Sequence, residues 1–246
     1  MRNIWTIASR EYKLYFASPV AYLIAFMILV VIGVFFTLTL SAATVQQFTP
    51  GIDTVLGPLP TLLLLAIPAV TTRLLAEESR LGTIELLLTA PVRDWELVIG
   101  KWLGAFLFVL TIIAVTLVYP LVLNQLVSPG IDQGPVLTGY LGLVLLSAAL
   151  VAVGVLISSL FSNQIAAFAT TMGVLIVLWW VLGPIAQVAG PAGQSANLFQ
   201  YLDFSSHYFD SLFRGIIEVK DIVYYLSVTA LGLFLGTMVV ETRRWR

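Results

Sequence analysis

The chain of 246 residues contains no cysteine and a single histidine, His207, and only 10% of its residues are charged. Lack of cysteine removes disulfides, thiolate metal sites and cysteine nucleophiles together, and leaves the redox compartment open. One histidine cannot build a multi-histidine metal site. A serine nucleophile needs a base within reach, and His207 lies outside the apolar runs, so serine chemistry inside a membrane is excluded. There is also no His-Glu-x-x-His run and no pair of aspartates within an apolar stretch. The formal charge is -1 and the pI about 5.8, so the basic field of a nucleic-acid binder is missing. Phosphate-loop chemistry needs a glycine five residues before a Gly-Lys pair. The Gly100-Lys101 pair has Trp95 at that position and Trp102 behind it, so ATP is not hydrolysed on this chain.

What is present is hydrocarbon: 59% of residues are hydrophobic and the mean hydropathy is +1.00. A water-soluble surface cannot be made from that balance. Uncharged stretches long enough to cross a bilayer occur at about 20–40, 56–72, 102–123, 137–160, 165–188 and 222–240. Each is helical, because lipid offers no partner to a free backbone group. The expectation is an all-α integral membrane protein, a single domain over 1–246 with six transmembrane helices, an N-terminal interfacial helix, a cytoplasmic coupling helix and short external helices. Ala21 to Leu40 reads as a retained span, since a signal sequence has a shorter apolar region; cleavage near Thr39-Leu-Ser-Ala-Ala43 is the competing reading. Pro58, Pro60 and Pro68 interrupt the second span, and Pro68 is expected to kink it. The spans hold no interior carboxylate or basic residue of the kind that relays protons or sodium. Ten of the twelve basic residues fall before the first span, between the second and third, or after the sixth. The positive-inside rule then puts both termini and the 73–101 loop in the cytoplasm.

Three segments lie outside the hydrocarbon. Over residues 1–18, Ile4, Trp5, Ala8, Tyr12, Tyr15 and Phe16 recur at helical spacing, with Arg2, Asn3, Arg10 and Lys13 on other faces. This describes an amphipathic interfacial helix, either a plain anchor or a moving part. In the 73–101 loop, Thr83 is placed to cap a short helix through Ile84 to Leu88 that Pro91 stops. Leu86, Leu87 and Leu88, rimmed by Glu77, Glu78, Glu85, Arg80 and Arg93, make either an apolar anchor for a partner or a knob folded onto the chain's own helix ends. Within the external segment 189–221, residues from Ser195 onward form one or two short helices on or dipping into the outer leaflet. There His207 has Asp203 and Asp210 at helical distance, as a metal or pH site or as a surface histidine with incidental carboxylates. Ala17, Ala21 and Ala25, then Ala169 and Gly173, then Gly232 and Gly236 are small faces that let helices approach.

The run Glu77-Glu78-Ser-Arg-Leu-Gly82-Thr83-Ile84-Glu85-Leu86-Leu87-Leu88-Thr89-Ala90-Pro91-Val92, continuing to Gly100-Lys101, resembles the loop between the second and third spans of ABC transporter permeases of the type-2 exporter class. Arg10-Glu11-Tyr12, Tyr15 to Pro19, His207 to Gly215 and Asp221 to Tyr225 resemble more narrowly the gliding-motility-type branch. The resemblance implies a multi-pass permease in the cytoplasmic membrane of a prokaryote, paired with a second copy or related permease and with cytoplasmic ATPase subunits. ATP and magnesium would sit on the ATPase and no cofactor on this chain. It implies ATPase coupling through the N-terminal helix and through Glu77, Glu78, Gly82, Thr83, Glu85, Leu86, Leu87, Leu88 and Pro91, with Ala21, Ala25, Ala169 and Gly173 at a permease dimer interface. The alternative is a membrane scaffold that relays ATPase motion to an external auxiliary protein without moving a solute. The spans offer no charged pocket from which to name a substrate.

Overall fold

A computed structural model describes residues 2–82, 92–188 and 194–244. Six helical stretches are long and apolar enough to cross a membrane: Pro19–Gln46, Asp53–Arg80, Asp94–Leu126, Gln133–Leu160, Gln164–Val188 and Val219–Thr242. An even number of crossings returns the chain to the face on which it began.

Local chemistry sets the breaks. Helix α1 (Arg2–Ala17) stops at Ser18, whose backbone is extended, and Pro19 opens α2 (Pro19–Gln46). Proline suits a first helical turn, where its missing N–H would have no partner anyway. After the single turn α3 (Asp53–Leu56), helix α4 (Leu59–Leu81) starts on Pro58 and Pro60 for the same reason and continues through Pro68. Gly82 ends it in the left-handed region at φ 71°, a conformation that favours glycine. The third span is two helices, α5 (Asp94–Thr116) and α6 (Val118–Leu126). Pro120 cannot donate to the carbonyl of Thr116 four residues back. The Tyr140 hydroxyl donates to that carbonyl instead, at 2.9 Å.

The Asp132 carboxylate caps the fourth span, α7 (Gln133–Leu160), and the Asn163 amide oxygen caps α8 (Gln164–Ile176). Ahead of Pro184 the fifth span widens into a π-helical turn, Val177–Val181, before α9 (Leu182–Val188). Two short helices, α10 (Gln194–Leu202) and α11 (Phe204–Phe209), and a 3-10 turn at Leu212–Arg214 lead to the last span, α12 (Val219–Arg244).

Helix α7 is the axis of the bundle: 78% of its most apolar stretch is buried inside the protein, against 17% for the first span. Without a hydrophobic drive between helices in lipid, close contact comes from small residues and hydrogen bonds. Gly154 leaves room for Thr71 of α4, and Gly232 of α12 lies against the Ala152 backbone. Ser158 reaches into α4, where its hydroxyl accepts from the N–H groups of Leu75 and Ala76 and donates to the Thr72 carbonyl, all within 3.1 Å. Trp102 of α5 donates to the Ala148 carbonyl at 3.1 Å.

The segment after the fifth span is more deeply seated than an outer-leaflet helix. Phe204, Tyr208 and Leu212 are buried, Gly142 of α7 makes space for Tyr208 and Leu212, and the Tyr208 hydroxyl donates to the Leu56 carbonyl at 3.2 Å. These three side chains face the bundle's own end, while Leu198, Leu202, Ile216 and Ile217 stay exposed.

Candidate functional site

The face that carries the termini holds a buried cluster of charge. Lys101 in the second turn of α5 has a side chain only 2% exposed, and its ammonium lies 2.9 Å from Glu11 Oε1 of α1 and 2.6 Å from Glu78 Oε1 of α4. A buried lysine needs a counter-charge, since desolvation penalises an isolated ion by several kcal/mol, roughly. Here one ammonium is shared by two carboxylates from two other helices.

The sequence around this lysine brings the helices within reach. Gly100 and Gly104 stand one turn apart on α5, and α1 lies directly on them. A Cβ at Gly104 would meet Glu11 Cβ at 2.6 Å and the Ala8 carbonyl at 3.0 Å, and one at Gly100 would meet Ile7 at 2.8 Å. Two further ties hold α1 along its length. Asn3 Nδ2 donates to Glu96 Oε2 at 3.1 Å, while Glu96 also accepts from the Arg93 N–H at the start of α5. Tyr12 Oη lies 3.0 Å from Thr111 Oγ1. At the far end the buried Tyr15 hydroxyl donates to the Val70 carbonyl of α4 at 2.8 Å, and the Arg73 guanidinium sits 4.1 Å from the centre of the Tyr15 ring. Burial pushes the Tyr15 phenol well above its ordinary pKa against the pull of Arg73, so it remains a neutral donor. Helix α1 is therefore fixed to the second and third spans, with Trp5, Arg10, Lys13 and Leu14 on its outer face.

Thr83, Glu85, Leu86, Leu87, Leu88 and Pro91 lie outside the described residues. Their loop joins α4 to α5, and the Glu78–Lys101 contact closes its base. Helices run further than the 73–101 boundaries expected, since α4 extends to Leu81 and α5 begins at Asp94. Glu78 points inward to Lys101, Glu77 is half-buried, and Gly82 terminates α4. Ala169 and Gly173 lie on an exposed face of α8, with open space around a Cβ at Gly173. Ala25 is half-buried, and Ala21 is 3% exposed and packed within the subunit.

A model of the ABC-2 family transporter protein matches residues 46–240. The chain belongs to the ABC-2 transporter family. It is the multi-pass membrane permease of such a system, a family that carries no ATPase motif and implies an ATPase partner. A comparison with curated proteins finds no match.

On the opposite face of the permease, His207 is 6% exposed, a buried residue and not a surface one. Its carboxylate partner is Asp221 of α12, 2.6 Å from Nδ1, with the Ser211 hydroxyl donating to the other carboxylate oxygen. Asp203 instead caps α11 through Ser205 and Ser206, and Asp210 lies 3.8 Å from Arg214. Nε2 lies 2.9 Å from the Tyr201 carbonyl, and the imidazole ring stacks on Tyr224. Ser211 pairs with Asp221 and the His207 carbonyl and not with the imidazole, which is not the arrangement of a nucleophile and its base.

Glu11, Lys101 and Gly104 escaped the sequence reading as functional residues. Gly100-Lys101 stands there as a failed phosphate loop and as the end of the run that resembles the permease loop, with no partner named for the lysine. The available signal was the Gly-x-x-x-Gly spacing at 100 and 104 together with a lysine at the margin of an apolar helix, which demands a carboxylate from elsewhere.

Proposed function

We propose that this permease is the membrane half of an ATP-driven exporter, with both termini and the 83–91 loop in the cytoplasm of a prokaryote and a separate ATPase docked on that loop. The reading rests on the junction of α1, α4 and α5: a push delivered to the loop reaches Glu78 and Lys101 at its base, and from them α1 and two spans. In this scheme Leu86, Leu87 and Leu88 are the apolar anchor, Glu77 and Glu85 belong to its rim, and Gly82 and Pro91 bound the segment. ATP and magnesium sit on the ATPase. A second permease copy covers the exposed flank of the fifth span at Ala169 and Gly173, and Arg10-Glu11-Tyr12 with the His207 to Gly215 run supports the gliding-motility-type branch.

The test is the pair Glu85→Lys and Leu87→Asp, which adds a cation to the rim and a charge to the anchor. In vesicles holding only permease and ATPase, the doubly substituted chain inserts as before, while permease-dependent ATP hydrolysis falls at least tenfold. Unchanged hydrolysis removes the coupling assignment. ATP-dependent flux in the unsubstituted vesicles separates an exporter from a scaffold that passes motion to an external protein.

A further inference from the structure

A cavity of about 220 Å³ opens at the terminus-bearing end of the bundle, where Ser18 and the first turn of α2 meet Val70, Arg73 and Glu77 of α4 and Gln164 at the start of α8. Its polar groups have an unusual disposition. Arg73 and Glu77 stand one helical turn apart on the same side of α4, yet among the described residues neither makes an ion pair. Arg73 is held back by the Tyr15 ring, 4.1 Å from its guanidinium. The Tyr15 hydroxyl is committed to the Val70 carbonyl, so it adds no competing donor. Ser18 and Gln164 offer a hydroxyl and an amide to whatever enters.

A cation and an anion one turn apart have their side-chain origins about 5–6 Å from each other. Both residues line the one cavity, so a small ligand that carries a phosphate and an ammonium a few bonds apart can meet a counter-charge at each end. Val20 lines the cavity, and Val20, Leu23 and Met27 are exposed along one flank of α2. A headgroup site at the end of the spans, continuous with a bare apolar helix flank, has the shape of a lipid site.

We infer that this cavity binds the headgroup of a zwitterionic aminophospholipid, phosphate on Arg73 and ammonium on Glu77, with its acyl chains along the exposed flank of the first span. Guanidinium suits phosphate through paired N–H donors. A primary ammonium donates to Glu77, whereas a choline group has no N–H and a glycerol headgroup has no cation. Phosphatidylethanolamine is therefore preferred over phosphatidylcholine and phosphatidylglycerol.

The measurement is lipid binding by native mass spectrometry on the purified permease without ATPase, with short-chain lipids of the three headgroups and with free phosphoethanolamine. At least fivefold preference for phosphatidylethanolamine is expected. Glu77→Gln removes that preference while retaining phosphate-bearing lipid, and Arg73→Gln weakens all three. Because Arg73 also touches Tyr15, Glu77→Gln is the decisive variant. Equal binding of the three lipids by the unsubstituted chain, or a preference unchanged in Glu77→Gln, overturns the assignment. Binding of free phosphoethanolamine as tight as that of the lipid overturns the part played by the acyl chains. Each result is independent of ATP hydrolysis, so the exporter reading stands or falls separately.

Discussion

Replacing Lys101 by methionine keeps most of the side-chain volume and removes the buried ammonium that Glu11 and Glu78 share. In the native protein two carboxylate oxygens lie 2.9 and 2.6 Å from the ammonium, and the three charges sum to -1. After substitution two partly desolvated carboxylates face each other across an apolar side chain. At an effective dielectric of 20 and a separation of about 5 Å, their repulsion amounts to roughly 3 kcal/mol before any relaxation. Breaking a buried ion pair by removing one partner costs about 3–5 kcal/mol in general, and Lys101→Met should fall in that range.

The carboxylates behave differently from the lysine. Either Glu11→Gln or Glu78→Gln leaves a neutral one-to-one pair and relieves the excess negative charge, so each should cost about 1 kcal/mol or less. The triple replacement Lys101→Met, Glu11→Gln, Glu78→Gln removes all three charges and should recover most of the loss. Denaturant unfolding in micelles, followed by the fluorescence of the six tryptophans, reads all four variants. If a single glutamine substitution destabilises as much as Lys101→Met, shared charge is not what joins the three helices.

Two other perturbations address the packing around that junction. Gly104→Leu puts side-chain atoms where Glu11 Cβ already stands, displacing α1 at a cost of about 1–3 kcal/mol; a cysteine introduced at Ala8, which is buried, should then become reactive to a water-soluble maleimide, and protection equal to that in the Gly104 background would sink this account. Tyr140→Phe strands the Thr116 carbonyl that Pro120 cannot serve, costing about 1–3 kcal/mol, while adding Pro120→Ala restores a helical N–H and should return most of it. A double-mutant cycle on unfolding free energies checks this, with additive effects as the refuting result.

Hydropathy made the six spans readable because lipid imposes one requirement on every residue between its two surfaces. Length and charge rules therefore locate spans without knowledge of their neighbours. They fail at helix ends, where the solvent changes. Asp94 to Lys101 carries charge and reads as loop, yet Glu96 and Lys101 are buried by α1 and the segment is the first part of α5. Asp221 reads as an external loop residue and is fully buried in the first turn of α12, because His207 and Ser211 fold over it. Pairing is the missing information in both cases. A single sequence shows that Lys101 needs an anion without saying whether it comes from Glu11, Glu78 or one of the other carboxylates.

The position of that pairing bears on how force would pass through the permease. Helix α1 is fixed along its length to α5 by Glu96, Lys101 and Thr111, and to α4 by Tyr15, while it meets α2 at the extended residue Ser18 and through the Phe16–Tyr22 ring contact. Helix α4 is in turn pinned to α7 by Ser158, and α5 by Trp102. The stiff path from the 83–91 loop therefore runs into the centre of the bundle through the second, third and fourth spans. The first span buries little of itself and meets the third through the Tyr119 hydroxyl, which donates to the Leu29 carbonyl at 3.2 Å, and through the Phe36–Tyr119 ring contact. In the coupling scheme proposed above, a displacement entering at residues 83–91 would reach α1 together with the second and third spans, because Glu78, Lys101 and Glu11 join the three helices.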